Sequence, residues 1–257
     1  MKFQKKLYEG ILLDRYKRFF ADVELNDESG VEKLTIHVPN TGSLKGIIDK
    51  KATSPQKCWF SLHGDDSKKL KGTLEAVRTL DGSWVGVNTS NPNKIVNEAA
   101  LASIKSETPF LPHWAGYTFY KPEFKINEKS RLDGAFLKSE SDLQNPDSKK
   151  HFIEIKNTTY KSLIDGKSFA QFPDSVTERG QKHIEEMMLL MEQGHTCELI
   201  FAVQRSDVKY FSAAEQFDPV YAKLLGQAQK KGLIISPLIC QISQTEVSLT
   251  NQLLIFK

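Results

Sequence analysis

The stretch from Ser130 to Asn157 constrains the fold more than any other: SRLDGAFL, a polar interruption, then HFIEIKN. In both flanking pieces apolar residues alternate with polar ones and turn-formers bound them, so both are predicted strands. Period-two geometry puts Glu154 and Lys156 on one face of the second strand, with Ile153 and Ile155 on the other. Asp133 lies in the strand before it, an antiparallel neighbour across the loop Lys138–Lys150. Metal-dependent phosphodiester cleavage needs two carboxylates to hold a hard divalent cation. It also needs an ammonium to activate water or meet charge developing on phosphate. A Glu and a Lys two apart also describe an ordinary half-exposed sheet face, so the surroundings must decide.

Those surroundings divide in two. Residues 9–88 read as short strands: EGILLDRYKRFFADVEL, KLTIHVPN, TGSLKGII, CWFSLHG, LKGTLEAVRTL and SWVGVN, with turns at 26–30 and at Asp81-Gly82. So many short strands in so little chain point to a small closed barrel, with an OB-like fold the leading candidate. The pattern changes at Asn88, where Pro92 precedes Ile95, Val96, Ala99 and Ala102 at helical spacing. After Asn157 an irregular loop with strand character at its start is expected through 158–174. A helix then follows, opened by a capping box at Ser175 and Glu178 and striped by Ile184, Met187, Met188 and Met191. CELIFAVQR has the continuous apolar character of a strand covered on both faces. VYAKLLGQAQKKG is a helix, LIISPLICQIS a strand, and EVSLTNQLLIFK a closing strand. The order is that of a restriction-endonuclease-like mixed sheet. The expected division is 1–87 for the barrel and 88–257 for the nuclease-like domain.

Composition narrows the partners and the compartment. The 257 residues are 39% hydrophobic and 26% charged, with a net charge of +3, so a nucleic-acid surface must be a local patch. Cys58, Cys197 and Cys240 are scattered in apolar contexts, as in a reducing cytoplasm, and His183 and His195 lack metal-ligand spacing, which argues against zinc. No run approaches membrane-spanning length, and MKFQKKLYEG has no apolar core of a leader, so a cytoplasmic protein is expected.

Further site candidates follow. Glu98 on the first helix is a possible additional metal carboxylate, against the plain reading of an exposed helix residue. Gln181, with Glu178 and Lys182 beside it, is the polar candidate on the helix after the E-x-K strand, though Gln also suits an exposed helix face. In HVPNTGSLKG, the residues Asn40, Thr41, Gly42, Ser43 and Lys45 offer N–H groups, hydroxyls and an ammonium to phosphate, or simply form a loop. NTSNPN at 88–93 is a second polar junction, at a helix start that favours anions. RYKRFF interleaves Arg15, Lys17 and Arg18 with Tyr16, Phe19 and Phe20, which suits a nucleic-acid backbone groove or one core-facing row.

Taken together, RYKRFFADVEL, HVPNTGSLKG, VGVNTSNPNKIVNEAAL, SRLDGAF, IEIKNTT, FPDSVTERGQKH and FAVQRSD resemble the sugar fermentation stimulation protein A (SfsA) family, from about Leu12 to Ser236. The resemblance implies an N-terminal OB-like barrel followed by a PD-(D/E)xK domain. It also implies binding of DNA without marked sequence preference, and a regulatory role at sugar (maltose) utilisation genes. The family's nuclease motif falls on Asp133, Glu154 and Lys156, with Gln181 in the matching helix. KSESDLQNPDSKK is longer than the family's hairpin turn, an insertion that costs little loop entropy. The expectation is a Mg²⁺- or Mn²⁺-dependent nuclease. Asp133, Glu154, the Ile155 carbonyl and Glu98 would hold the ion, with Lys156 and Gln181 at the water or phosphate. Arg15, Lys17, Arg18 and Asn40 to Lys45 would hold DNA. The alternative is a non-catalytic DNA-binding regulator that keeps the fold; an enzyme of small sugar phosphates stands a distant third. Oligomeric state is not readable.

Overall fold

The computed structural model describes residues 1–28, 30–49, 54–65 and 67–257. The first sheet contains β1 (Leu7–Tyr16), β2 (Phe20–Asp27), β3 (Gly30–His37), β4 (Gln56–Leu62), β5 (Gly72–Arg78) and β6 (Trp84–Gly86). Its strand order is β3-β2-β1-β4-β5-β6, and a parallel contact of β3 with β5, His37 against Thr73, closes it into an OB barrel. Inward rows of Ala21, Val23, Ile36, Phe60 and Leu74, all wholly buried, fill it. The turn read at 26–30 includes Ser29, which lies outside the described residues.

Two barrel expectations change. RYKRFF is no single strand: Lys17 and Arg18 take left-handed φ values of 46° and 64° and turn β1 back into β2. TGSLKGII is a run of turns, because Leu44 and Ile47 both drop into the barrel core, a fit that strand alternation forbids.

Beyond the barrel come α1 (Asn91–Lys105), β7 (Phe119–Lys125), β8 (Arg131–Leu137), β9 (His151–Thr158), β10 (Tyr160–Ile164), β11 (Lys167–Phe172) and α2 (Glu178–Glu192). There follow β12 (Thr196–Val203), β13 (Tyr210–Ala213), α3 (Pro219–Lys230), β14 (Ile234–Ile242), β15 (Val247–Leu253) and β16 (Ile255–Phe256). A six-stranded mixed sheet of order β15-β14-β12-β9-β8-β7 forms the centre, with β9, β12 and β14 parallel. One face packs on α1 through Ile95, Val96, Trp114, Ile153 and Ile200. The other packs on α2 and α3 through Ala135, Phe152, Ile184, Phe201 and Leu225. β12 is buried along seven of its eight residues, as its unbroken apolar run requires.

The expected loop at 158–174 is instead the hairpin β10–β11, turned at Asp165-Gly166 and part of a second, four-stranded sheet with β13 and β16. α2 also starts later than the Ser175 capping box. Thr177 is the N-cap, its hydroxyl accepting from Gly180 N–H at 3.1 Å, because Asp218 before α3 takes Thr177 N–H at 2.9 Å and fixes that turn.

The barrel is fastened to the central sheet at the end of β12. Gly86 N–H donates to the Gln204 carbonyl at 2.9 Å, and Gln204 Nε2 donates to Asn157 Oδ1 at 2.7 Å and to the Asn88 carbonyl at 3.3 Å. A Cβ at Gly86 would lie 2.4 Å from Gln204 Oε1 and 3.0 Å from its Cδ, so a side chain there would displace the glutamine that makes these bonds.

Candidate active site

β8 and β9 pair at Phe136–His151, Ala135–Phe152 and Gly134–Ile153, and the ladder stops there. Just beyond that fork, Asp133 Oδ2 accepts Ile155 N–H at 2.7 Å, so a carboxylate takes the place of the next strand bond. Asp133 Oδ1 accepts from Asn93 Nδ2 of α1 at 2.7 Å. Gly134 is needed beside it: an added Cβ would meet the Tyr120 hydroxyl at 2.2 Å, and that hydroxyl donates to Asn97 Oδ1 at 2.5 Å.

Glu154 is buried on the opposite side of the fork. Its Oε1 accepts from Lys156 Nζ at 2.6 Å and faces His183 Nδ1 of α2. Its Oε2 is buried with no hydrogen-bond partner. The Tyr221 hydroxyl on α3 is likewise buried and unpartnered, and burial, then the charges of Glu154 and Asp218, push its pKa well above the phenol range. Burial works to raise the Glu154 carboxyl, but Lys156 and His183 outweigh it and hold it below the usual value. Asp133 moves the other way: burial, then the Glu154 charge, push it up to about 6. Two carboxylates with opposed shifts, one carrying a bare buried oxygen, form an oxygen-donor pair suited to a hard divalent cation. That orphaned oxygen is the structural sign that the pair fits such an ion.

Other candidates lie elsewhere. Glu98 is on α1 but turned away from the fork, exposed and 2.7 Å from the Met1 ammonium. The helix turns about 100° per residue, so Asn93 and Asn97, four apart, occupy the sheet-facing row that Glu98 leaves. Gln181 lies in the first turn of α2, where its Nε2 donates to both Asp218 oxygens at 2.9 and 3.0 Å. His183, two residues on, is the α2 side chain that reaches Glu154. At Ile155 it is the N–H that engages Asp133.

The barrel residues separate into buried and exposed sets. Arg15 is buried; its guanidinium donates to the carbonyls of Arg18, Asn40 and Gly42 at 2.8 Å each, so it binds this chain's own loops rather than a ligand. Asn40 is also buried, donating to the Val87 carbonyl at 2.9 Å and accepting Gly42 N–H at 2.8 Å. Ser43 Oγ accepts Lys45 N–H at 3.3 Å, and Lys45 Nζ sits 5.0 Å over the Phe217 ring. Lys17 is exposed on the β1–β2 turn. Arg18, Thr41 and Gly42 line a cleft of about 340 Å³ between barrel and sheet, whose far wall includes Asn157, the residue after Lys156. In NTSNPN, Asn88 and Asn91 Nδ2 donate to buried Glu75 Oε2 at 2.9 and 3.1 Å, clamping barrel to helix rather than presenting an anion site.

Asn93, His183 and Tyr221 are the site residues that sequence reasoning missed. NTSNPN marked the neighbourhood of Asn93, but nothing local ties His183 to a glutamate on another element.

Among known proteins, a family model described as the sugar fermentation stimulation protein RE domain matches residues 90–246, and the SfsA N-terminal OB domain matches residues 13–87. The sugar fermentation stimulation protein homolog of Bdellovibrio bacteriovorus is 45% identical, covering 100% of both chains. The homolog of Pseudoalteromonas atlantica is 36% identical over 98% of each. In fold, SfsA of Pyrococcus furiosus, solved in complex with Ca²⁺, superposes with a TM-score of 0.74 at 23% identity, over 100% of this chain and 99% of that one.

Proposed function

The chain belongs to the sugar fermentation stimulation protein (SfsA) family, and from that premise we propose that it binds DNA and cleaves phosphodiester bonds at the β8–β9 fork. The observation that carries the proposal is the buried, unpartnered Oε2 of Glu154, a carboxylate whose charge acts on Asp133 across the fork. Asp133 and Glu154 would hold Mg²⁺ or Mn²⁺. When bound, such an ion polarises the phosphate and lowers the pKa of a ligated water. The archaeal structure's Ca²⁺, another oxygen-seeking cation, supports a carboxylate site of this kind. Lys156 Nζ, 2.6 Å from Glu154 Oε1, would act on the attacking water or the scissile phosphate. Asn93 fixes the Asp133 rotamer, and His183 fixes that of Glu154. Arg18 and Thr41 would guide the nucleic-acid backbone along the cleft toward Asn157.

Lys156 and His183 both already engage Glu154 Oε1, and this favours the rival reading, a DNA-binding regulator without turnover. A paired assay separates them: single- and double-stranded DNA with wild type and Asp133→Asn, in Mg²⁺, Mn²⁺ or chelator. The nuclease reading expects cation-dependent cleavage that the substitution abolishes while DNA binding persists. Binding with no cleavage by either protein would leave the regulator.

A further inference from the structure

On the opposite face of the central sheet from Glu154, three side chains from separate elements converge on one point. His151 opens β9, Glu198 lies on β12, and His113 comes from a one-turn 3-10 helix at Pro112–Trp114. By strand alternation His151 shares the α1 face with Ile153 and Ile155, and three residues of strand, about 10 Å, separate it from Glu154. Their potential donor atoms all lie within 4.8 Å of one another. His113 Nε2 stands 2.9 Å from Glu198 Oε1, and His151 Nε2 stands 3.1 Å from Glu198 Oε2.

We propose that His113, His151 and Glu198 form a second metal centre, for a borderline divalent cation of the zinc class, that pins the 112–114 turn to the sheet. The 2.9 and 3.1 Å contacts run from the two imidazoles to different oxygens of one carboxylate, so Glu198 lies between them and could bring either oxygen to an ion bound at about 2.0–2.2 Å. Two imidazoles and one carboxylate are a donor set for zinc, iron, nickel or copper, unlike the oxygen pair at the fork.

Hydrogen bonding alone leaves the cluster incomplete. His113 Nε2 is buried and, although near Glu198, lacks the alignment of a hydrogen bond to it or to anything else. The Glu198 carboxylate is wholly buried, and its outer sides are already filled by Trp114 Nε1 at 2.7 Å and by the Ser236 hydroxyl. The His151 Nδ1 atom is 2.9 Å from Thr196 Oγ1, the outer hydrogen bond that ligating histidines characteristically make, which leaves Nε2 to point inward. His113 is 28% exposed, giving an ion a way in.

The test uses the full-length chain carrying Asp133→Asn, which removes one ligand of the fork, stripped with chelator and titrated with Co²⁺ and Zn²⁺. Expected are one equivalent bound, visible absorption of four- or five-coordinate Co²⁺, and a rise in Tm with Zn²⁺. Adding His113→Ala should abolish the Co²⁺ spectrum while the melting curve in chelator stays cooperative. Thr196→Val should weaken binding about 10–100-fold, and Thr196→Ser should restore it. If His113→Ala fails to fold, the Thr196 pair still decides. Absence of Co²⁺ and Zn²⁺ binding in the Asp133→Asn chain, or binding indifferent to His113 and Thr196, overturns the proposal and leaves the three residues as a hydrogen-bonded core group.

Discussion

Replacing Lys156 by Met removes the ammonium 2.6 Å from Glu154 while keeping a similar stem. Both partners are poorly exposed, the side chains at 12% and 4%, so Glu154 loses a neutralising charge that water cannot replace. Breaking a buried pair in this way costs about 3–5 kcal/mol. Protonation sets an independent ceiling. Neutralising a carboxyl of ordinary value 4.5 at about pH 7.5 costs roughly 4 kcal/mol, at about 1.4 kcal/mol per pH unit. The two routes agree, and His183, which remains on Oε1, pulls the loss toward the lower end. Urea unfolding in chelator should therefore show Lys156→Met less stable by about 3 kcal/mol, and a chain of this length loses roughly 2–4 °C of Tm for each of those. Mn²⁺ supplies the missing positive charge, so it should stabilise the variant more than the wild type. A loss below about 1 kcal/mol in chelator, or equal gains with Mn²⁺, would refute the charge assignment.

Two further predictions concern the fork and the cleft. Asp133, raised to about 6 from 3.8, binds its proton more tightly folded than unfolded; its contribution is complete below about pH 4 and lost as pH rises through about 6. The difference in unfolding free energy between wild type and Asp133→Asn, taken in chelator, should shrink across that window, while Mn²⁺ affinity of the wild type moves oppositely and falls as pH drops through about 6; a pH-independent difference would sink the claim. Arg18→Ala should weaken DNA binding and lower the salt slope by about 1 with stability unchanged, whereas Arg15→Ala should cost roughly 2–4 kcal/mol by stranding three carbonyls. Loss of DNA affinity in Arg15→Ala without any loss of stability would reverse those roles.

Period-two alternation is rigid, and for that reason Glu154 and Lys156 could be placed on one face of β9 before any coordinates. A strand that buries Ile153 and Ile155 has no choice but to send Glu154 and Lys156 to the other face. Helix phase is less forgiving. Glu98 sits one residue from Asn97, yet that step turns it from the sheet into solvent. Gln181 and His183 differ by two residues and end on different partners, Asp218 and Glu154, because the cap before α3 captures the first turn of α2. Arg15 illustrates a third limit. Alternation in RYKRFF reveals two rows but not which one faces inward, and only the turn at Lys17 and Arg18 settles it. His113, His151 and Glu198 lie on three elements with no local spacing, so only the sheet brings them together.

The attachment of the barrel bears on how a cleft residue such as Arg18 can serve the fork at all. A barrel on a free linker would hold DNA at many orientations and contribute little beyond local concentration. Here Gln204 bonds at once to Gly86 at the end of the barrel, to Asn88 at its exit and to Asn157, which follows Lys156 directly along β9. The Lys161 ammonium adds a second tie, bridging Asp81 of the barrel at 2.6 Å and Asp207 of the sheet domain at 2.5 Å. On the proposed reading, a phosphate held at Arg18 is then fixed in position relative to Lys156 before any cation arrives. Its orienting entropy is spent in folding the protein instead of in binding the substrate.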